Sequence, residues 1–212
     1  MKQVFILVMM LSMLVSCKQK QTIKEKQKEI ENGSLNERNE YSAAEIGWKT
    51  VTPDDWQVLT KKEKEEMTKN GASAIKKATD LEIADSSLIE LINLQKDRFN
   101  SLLSTIQPYE EVPGESYETN NETLKELIKK TYESNNIKAD YASSKETIDG
   151  LEFLVFSVNI YSPDKSKIIL SQKMYSRILN GYDFGITMVY NNEKDKEVLE
   201  KMIHSSTFSK RK

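Results

Sequence analysis

The chain has 212 residues, the length of one domain with attachments. Hydrophobic residues make up 38% and recur in patterned blocks, so a wholly disordered chain is excluded. The formal net charge of −2 leaves no basic excess to neutralise phosphates, which gives no electrostatic support for nucleic-acid binding. One cysteine and one histidine exclude an intrachain disulfide and metal sites that need several thiolate or imidazole ligands.

The first seventeen residues form three zones. Lys2 is positive, residues 4–15 are apolar except for Ser12, and a strongly polar stretch follows Cys17. Twelve helical residues rise about 18 Å, too short for a hydrocarbon core of roughly 30 Å. Residues 1–16 therefore predict a signal peptide and not a permanent membrane span.

The sequence Leu14-Val15-Ser16-Cys17 resembles the lipobox of bacterial lipoproteins. The resemblance implies cleavage between Ser16 and Cys17, a diacylglyceryl thioether on Cys17, and an N-acyl chain such as palmitate on its amino group. Each buried methylene adds roughly 0.8 kcal/mol, so two or three chains would hold the protein firmly on a membrane. Cleavage removes Lys2 alone among the charged residues, which leaves 30 basic and 33 acidic side chains.

Residues 18–40 contain only three aliphatic side chains among many Lys and Glu residues. Such a composition buries too little surface to offset chain entropy, so we expect residues 17–40 to form a flexible lipidated tether. A transient helix near residues 22–32 is left open as an alternative. No acidic residue follows Cys17 directly. This favours an outer-membrane location facing the periplasm if the host is Gram-negative.

Residues 41–212 are expected to form the globular domain. Residues 47–52 predict a short strand that ends at Pro53, and the capping-box sequence from Thr60 to Glu63 predicts a helix that Asn70-Gly71 could close. A second helical stretch is expected over 72–79. Residues 87–109 fit a helix face in part, but their strand-forming residues and central polar stretch favour a hairpin.

The C-terminal half has stronger periodicity. Apolar residues at helical spacing predict a helix over 121–134, and residues 193–204 predict another. Asp149-Gly150 predicts a two-residue turn before a strand over 151–161, whose two apolar faces indicate an inner strand. Two more strands, 167–179 and 183–190, are expected on either side of the Asn180-Gly181 turn, and Phe208 is expected to dock behind the last helix.

The order of these elements, with Ser205-Ser206-Thr207-Phe208 after the last helix, is similar to the PsbP-like family. That family includes photosystem extrinsic subunits and bacterial DcrB-like and LpqN-like lipoproteins. The Gly47-Trp48 strand followed by Pro53 and Trp56 resembles its opening element. The resemblance covers roughly residues 45–208 and implies an α+β fold, with a central antiparallel β-sheet and helices on both faces. It implies no catalytic residues.

A contact surface is predicted where two tyrosines flank an acidic stretch without Lys or Arg. Its residues are Tyr109, Glu110, Glu111, Glu115, Tyr117 and Glu118. Exposed aromatic side chains supply binding area, whereas we expect both tryptophans to lie in the core. Carboxylates could also hold a hard cation, but their spacing matches no known loop, so a solvated acidic segment is favoured and no metal site or cofactor is assigned.

The leading hypothesis is a lipid-anchored envelope protein whose non-catalytic domain binds another envelope protein or helps to assemble a complex. The Ser-x-x-Lys spacings at Ser73/Lys76 and Ser162/Lys165 lack the companion elements of Ser–Lys enzymes. Two alternatives stay open. One is a periplasmic lipoprotein that binds a small ligand or cation, and the other is a hydrolase that uses carboxylates alone and needs two inward carboxylates facing one cleft.

Overall fold

The computed structural model describes residues 20–66, 88–111, 113–114 and 116–209. The proposed signal peptide, Ser16, Cys17, Glu115 and the segment 67–87 lie outside these residues, and so do the helical prediction over 72–79 and the Ser73/Lys76 pair. Within them, no helix is both long and apolar enough to cross a bilayer.

Two antiparallel sheets form the framework. The smaller one has the order β1 (Ser34–Leu35), β2 (Glu40–Ala43), β3 (Trp48–Val51) and β11 (Thr207–Phe208). The larger one has the order β4-β5-β6-β10-β9-β8-β7. Its strands are β4 (Gln57–Val58), β5 (Ile89–Asp97), β6 (Asn100–Pro108), β7 (Ala139–Ile148), β8 (Leu151–Tyr161), β9 (Ile168–Leu179) and β10 (Tyr182–Tyr190).

Four described helical segments accompany the sheets: α1 (Ile23–Glu29), α2 (residues 61–66), α3 (Tyr117–Ser134) and α4 (Glu193–His204). The smaller sheet and α4 cover one face of the larger sheet, where Trp48 and Leu199 join the main core. Helix α3 covers part of the other face, where Tyr132 packs in a second cluster with Phe156 and Val158. The α+β fold with an antiparallel sheet and helices on both faces is thus confirmed.

Local signals explain why these segments fold as they do. Thr60 and Glu63 form the expected capping box, in which the Thr60 amide donates to Glu63 Oε2 at 2.8 Å and the Glu63 amide donates to Thr60 Oγ1 at 3.4 Å. Asp149 and Gly150 have φ angles of 49° and 73°, which suits the tight β7–β8 turn. Strand β8 contributes to both hydrophobic clusters, as its two apolar faces predict.

Residues 20–40 do not form the flexible tether that their composition predicts. Thr22 and Glu25 cap α1, and the Gln21 side chain donates to the Val58 carbonyl at 2.9 Å and accepts from the Val58 amide at 2.8 Å. Ile30 and Leu35 are 7% and 6% exposed and belong to the main core. A few apolar residues are enough to hold a segment in place when each of them is buried. The folded unit therefore begins about twenty residues before the expected start at residue 41.

Candidate functional site

An open groove lies between α3 and the larger sheet. Its volume is about 470 Å³, and its walls come from α3 and from strands β6, β8, β9 and β10. Apolar side chains from both sides line it, including Ile128 and Leu124 from the helix and Phe156 and Met174 from the strands. Polar groups lie at the end that Tyr117 and Asp183 form. The groove therefore offers an apolar surface with a polar end, as binding sites commonly do.

The face of α3 towards the sheet is polar at its first two turns. Ser116 caps the helix by accepting from the Thr119 amide at 3.1 Å, so α3 begins four residues before the predicted start. One turn apart, Tyr117 and Asn121 point to the sheet, where Ser176 Oγ donates to Asn121 Oδ1 at 2.8 Å. At the other end, Tyr132 Oη donates to Gln172 Oε1 at 2.8 Å. These hydrogen bonds, together with Ile128, hold the helix over the sheet.

Two leucines of α3 remain largely in contact with water. Leu124 is 53% exposed and Leu127 is 37% exposed, although their helical spacing is the signal that predicts the helix. Lys125 takes an inner position and is buried, with its ammonium 2.7 Å from Glu122 Oε1 and 5.8 Å from the centroid of the Phe156 ring. The inward side of the helix thus differs from an ordinary apolar stripe.

Asp183 is a half-buried carboxylate at the polar end of the groove. Tyr117 Oη donates to its Oδ1 at 2.6 Å. Burial raises the pKa of Asp183 above its ordinary value, and the hydrogen bond from Tyr117 only partly offsets this effect. Burial and the hydrogen bond to Asp183 also raise the pKa of the Tyr117 hydroxyl, so this group stays a proton donor at neutral pH.

The predicted contact surface lies at the mouth of this groove. The rings of Tyr109 and Tyr117 meet edge to face with centroids 5.6 Å apart, and both residues line the groove with Glu110. Glu111 and Glu118 are exposed beside them. The structure thus brings Tyr109, Glu110 and Tyr117 to one groove, and Glu111 and Glu118 adjoin them in the chain.

Three groove residues escaped the sequence analysis: Asn121, Ser176 and Asp183. The signal for Asp183 is present in the alternation of β10, where Phe184 and Ile186 face the core. Positions 183, 185 and 187 must then share the opposite face, and all three are polar or small. Asn121 and Ser176 carry no comparable signal, because their pairing depends on how α3 lies on the sheet.

The described residues give little support to catalysis. Ser162 Oγ donates to Asp164, and Lys165 lies in the same turn with a φ of 61°, so this Ser–Lys spacing serves a β-turn. Two carboxylates line the groove, Glu110 and Asp183. Glu110 is exposed and Asp183 alone is partly withdrawn from water, so the described residues of the groove form no pair of buried carboxylates. In the same part, no three His, Cys, Asp or Glu side chains are placed to hold a metal ion.

The described residues form an α+β domain with an open groove between α3 and the larger sheet. No protein-family model matches the chain, and no curated protein matches it in sequence. Among solved structures, the chain is similar to the solution structure of cyanobacterial PsbP (CyanoP) from Synechocystis sp. PCC 6803, with a TM-score of 0.52 and 10% sequence identity. The match covers 80% of this chain and 91% of the other. The domain therefore has a PsbP-like fold, and at this identity the likeness concerns the fold alone.

Proposed function

We propose that this protein is a bacterial envelope lipoprotein, cleaved after Ser16 and anchored by lipid on Cys17. The lipobox resemblance, the short apolar core and the polar stretch after Cys17 support this proposal. Replacing Cys17 with serine should abolish the diacylglyceryl and N-acyl mass and release the protein from the membrane fraction. Unchanged mass and sedimentation of the Cys17→Ser protein would contradict the anchor.

The outer membrane, facing the periplasm, is the proposed location if the host is Gram-negative. Density-gradient separation of inner and outer membranes tests it, and co-migration with inner-membrane enzymes would overturn it.

We further propose that the domain is a non-catalytic accessory module that binds another envelope protein at the groove mouth. The observation that carries this proposal is the open groove, whose mouth combines the Tyr109–Tyr117 ring pair with exposed carboxylates. Aromatic side chains are common anchors in protein interfaces, and charged side chains around them direct the approach of a partner.

Photocrosslinking in cells tests where the partner binds. A photoreactive residue would replace Glu118, which is exposed on α3 at the mouth, or Glu197, which is exposed on α4 across the sheet. We expect a crosslinked product of defined mass from position 118 and none from position 197. If position 118 gives no crosslinked product, or if both positions give equal amounts of product, a partner site at this groove is refuted.

The size of the groove favours a small-ligand protein as the second candidate. About 470 Å³ falls within the usual range of ligand pockets, roughly 300–1,000 Å³. Calorimetry with Ca²⁺ and with cell-wall fragments separates the candidates. Saturable binding of Ca²⁺ or of a cell-wall fragment to the purified protein, without a protein partner, would support this alternative.

A further inference from the structure

Asp183 is a carboxylate without a counter-ion among the described residues. Tyr117 donates a hydrogen bond to it, and no Lys or Arg of the described chain lies within ion-pair distance of its carboxylate. Lys125, the cation that lines the groove, is paired with Glu122. The groove therefore presents Asp183 and Glu110 as acceptors and has no free cation of its own among the residues described.

A carboxylate that is partly withdrawn from water gains from a cation brought to it. Removing a charge from water is costly unless it is paired, and a charge-assisted hydrogen bond is about twice as strong as a neutral one. The raised pKa of Asp183 reflects this uncompensated burial. A donor in the groove would supply the missing partner.

The rest of the groove matches a basic residue and apolar neighbours. Phe156, Met174 and Ile128 offer surface to the methylene stem of Lys or Arg and to an adjoining apolar side chain. At the mouth, the exposed carboxylate of Glu110 favours the approach of a basic chain.

We infer that Asp183 is the acceptor for a Lys or Arg side chain of a partner protein, held in a segment whose basic residue is flanked by apolar residues. This inference rests on the proposed partner-binding function and adds the chemistry of the segment. The occupant is a peptide because the polar end and the apolar walls belong to one continuous groove. A peptide segment presents a basic side chain to the polar end and apolar side chains to the walls on adjacent residues.

Matched probe peptides test the inference on the purified protein. The probes are acetyl-Ala-Leu-Arg-Leu-Ala-amide and the same peptide with Gln or Glu in place of Arg, followed by NMR titration of the backbone amides. We expect the Arg probe to bind at millimolar concentration or better and to shift the amides of Asn121 and Gly185. The Gln probe should bind about tenfold more weakly.

Two variants and one control locate the acceptor. Asp183→Asn should weaken the Arg probe about tenfold and leave the Gln probe unchanged, because only the charge is removed. Gly185→Leu should block all probes by filling the groove. A Cβ at position 185 meets Thr105 Oγ1 at 3.5 Å, which is an ordinary contact, and an unchanged amide spectrum away from the groove would show that the leucine variant folds. Glu197→Gln makes the same charge change as Asp183→Asn, but on α4, and should bind like the wild type.

Several results would overturn the inference. These are no binding of the Arg probe, equal binding of the Arg and Glu probes, or an Asp183→Asn protein that keeps full affinity for the Arg probe. If crosslinking from position 118 still finds a partner in that case, the partner function stands and the basic-segment chemistry fails. If crosslinking fails as well, both proposals fail.

Discussion

Replacing Leu35 with alanine measures whether residues 20–40 belong to the fold. Leu35 is 6% exposed in the main core, and its amide donates to the Gln27 side chain of α1. The Tyr41 hydroxyl donates to the Asn32 carbonyl at 2.6 Å and holds the same segment. Truncating this leucine therefore removes packing between the N-terminal segment and the rest of the domain.

The magnitude follows from the buried carbon that is lost. Buried Leu→Ala substitutions cost about 2–5 kcal/mol, and a strand of two residues can close part of the cavity. We therefore expect Leu35→Ala to lower the free energy of unfolding by about 2–3 kcal/mol. For a domain of this size, that corresponds to a fall in Tm of about 4–12 °C.

Urea denaturation followed by tryptophan fluorescence reports this change, because Trp48 and Trp56 are both buried. The midpoint should fall while the m-value stays constant. Leu124→Ala is the matched control, since the same substitution on a 53% exposed helical residue should change stability by less than about 0.5 kcal/mol. Equal urea midpoints for the two variants would support a flexible tether in this segment and refute the argument from burial.

Three further substitutions test other parts of the fold. Gly47→Ala should destabilise the protein by about 1–3 kcal/mol, because φ is +67° and a Cβ would lie 2.1 Å from the Ser209 carbonyl oxygen. Gly150→Ala is the control, since φ is also positive there but no atom lies within 4 Å of the added Cβ. An equal loss of stability in the two variants would exclude the clash with Ser209. Lys173→Met should cost about 2–4 kcal/mol, because it leaves Glu146 and Glu200 without the ammonium that lies 2.8 and 2.9 Å away. Lys145→Met should cost clearly less, because its pair with Glu152 is exposed, and similar losses for the two variants would contradict this reasoning. Burial raises the pKa of Asp195, but hydrogen bonds from Lys96 and Asn192 outweigh burial and lower this pKa overall, so the extra stability of the wild type over Asp195→Asn should be present above about pH 4 and disappear as pH falls through the folded-state pKa. A difference between the two urea midpoints that stays constant down to about pH 2–3 would show that ionisation of Asp195 plays no part. The substitution Glu193→Gln, at an exposed residue, is the control.

Local signals made much of the C-terminal half predictable. The turns at Asp149-Gly150 and Asn180-Gly181 and the alternation of β8 and β10 depend on neighbouring residues, and the structure places them as expected. Helix α4 has the predicted bounds, and Leu199, Met202 and Ile203 are buried against the main core. Such features are readable because a hydrophobic period and a turn sequence are both local.

Other elements depend on partners far away in the chain. Strand β7 has the largely polar sequence ADYASSKETI and no apolar alternation, yet it pairs with β8 over its whole length. Its strand conformation comes from backbone hydrogen bonds to a neighbour, which composition does not reveal. The groove likewise depends on contacts between α3 and the sheet. Tyr109 and Tyr117 were predictable as a surface, whereas the alternation of β10 indicates only the face of Asp183 and not its contact with Tyr117.

The orientation of α3 favours a binding role over a purely structural one. Burying a leucine contributes about 1.5–3 kcal/mol, and much of this gain is lost at Leu124 and Leu127, which are 53% and 37% exposed. The observed helix instead keeps both leucines in water and directs Tyr117 and Asn121 to hydrogen-bond partners on the sheet. These contacts hold the helix over an open groove and fix the Asp183 carboxylate at its end. The polar contacts therefore keep this space open, as the proposed partner site requires.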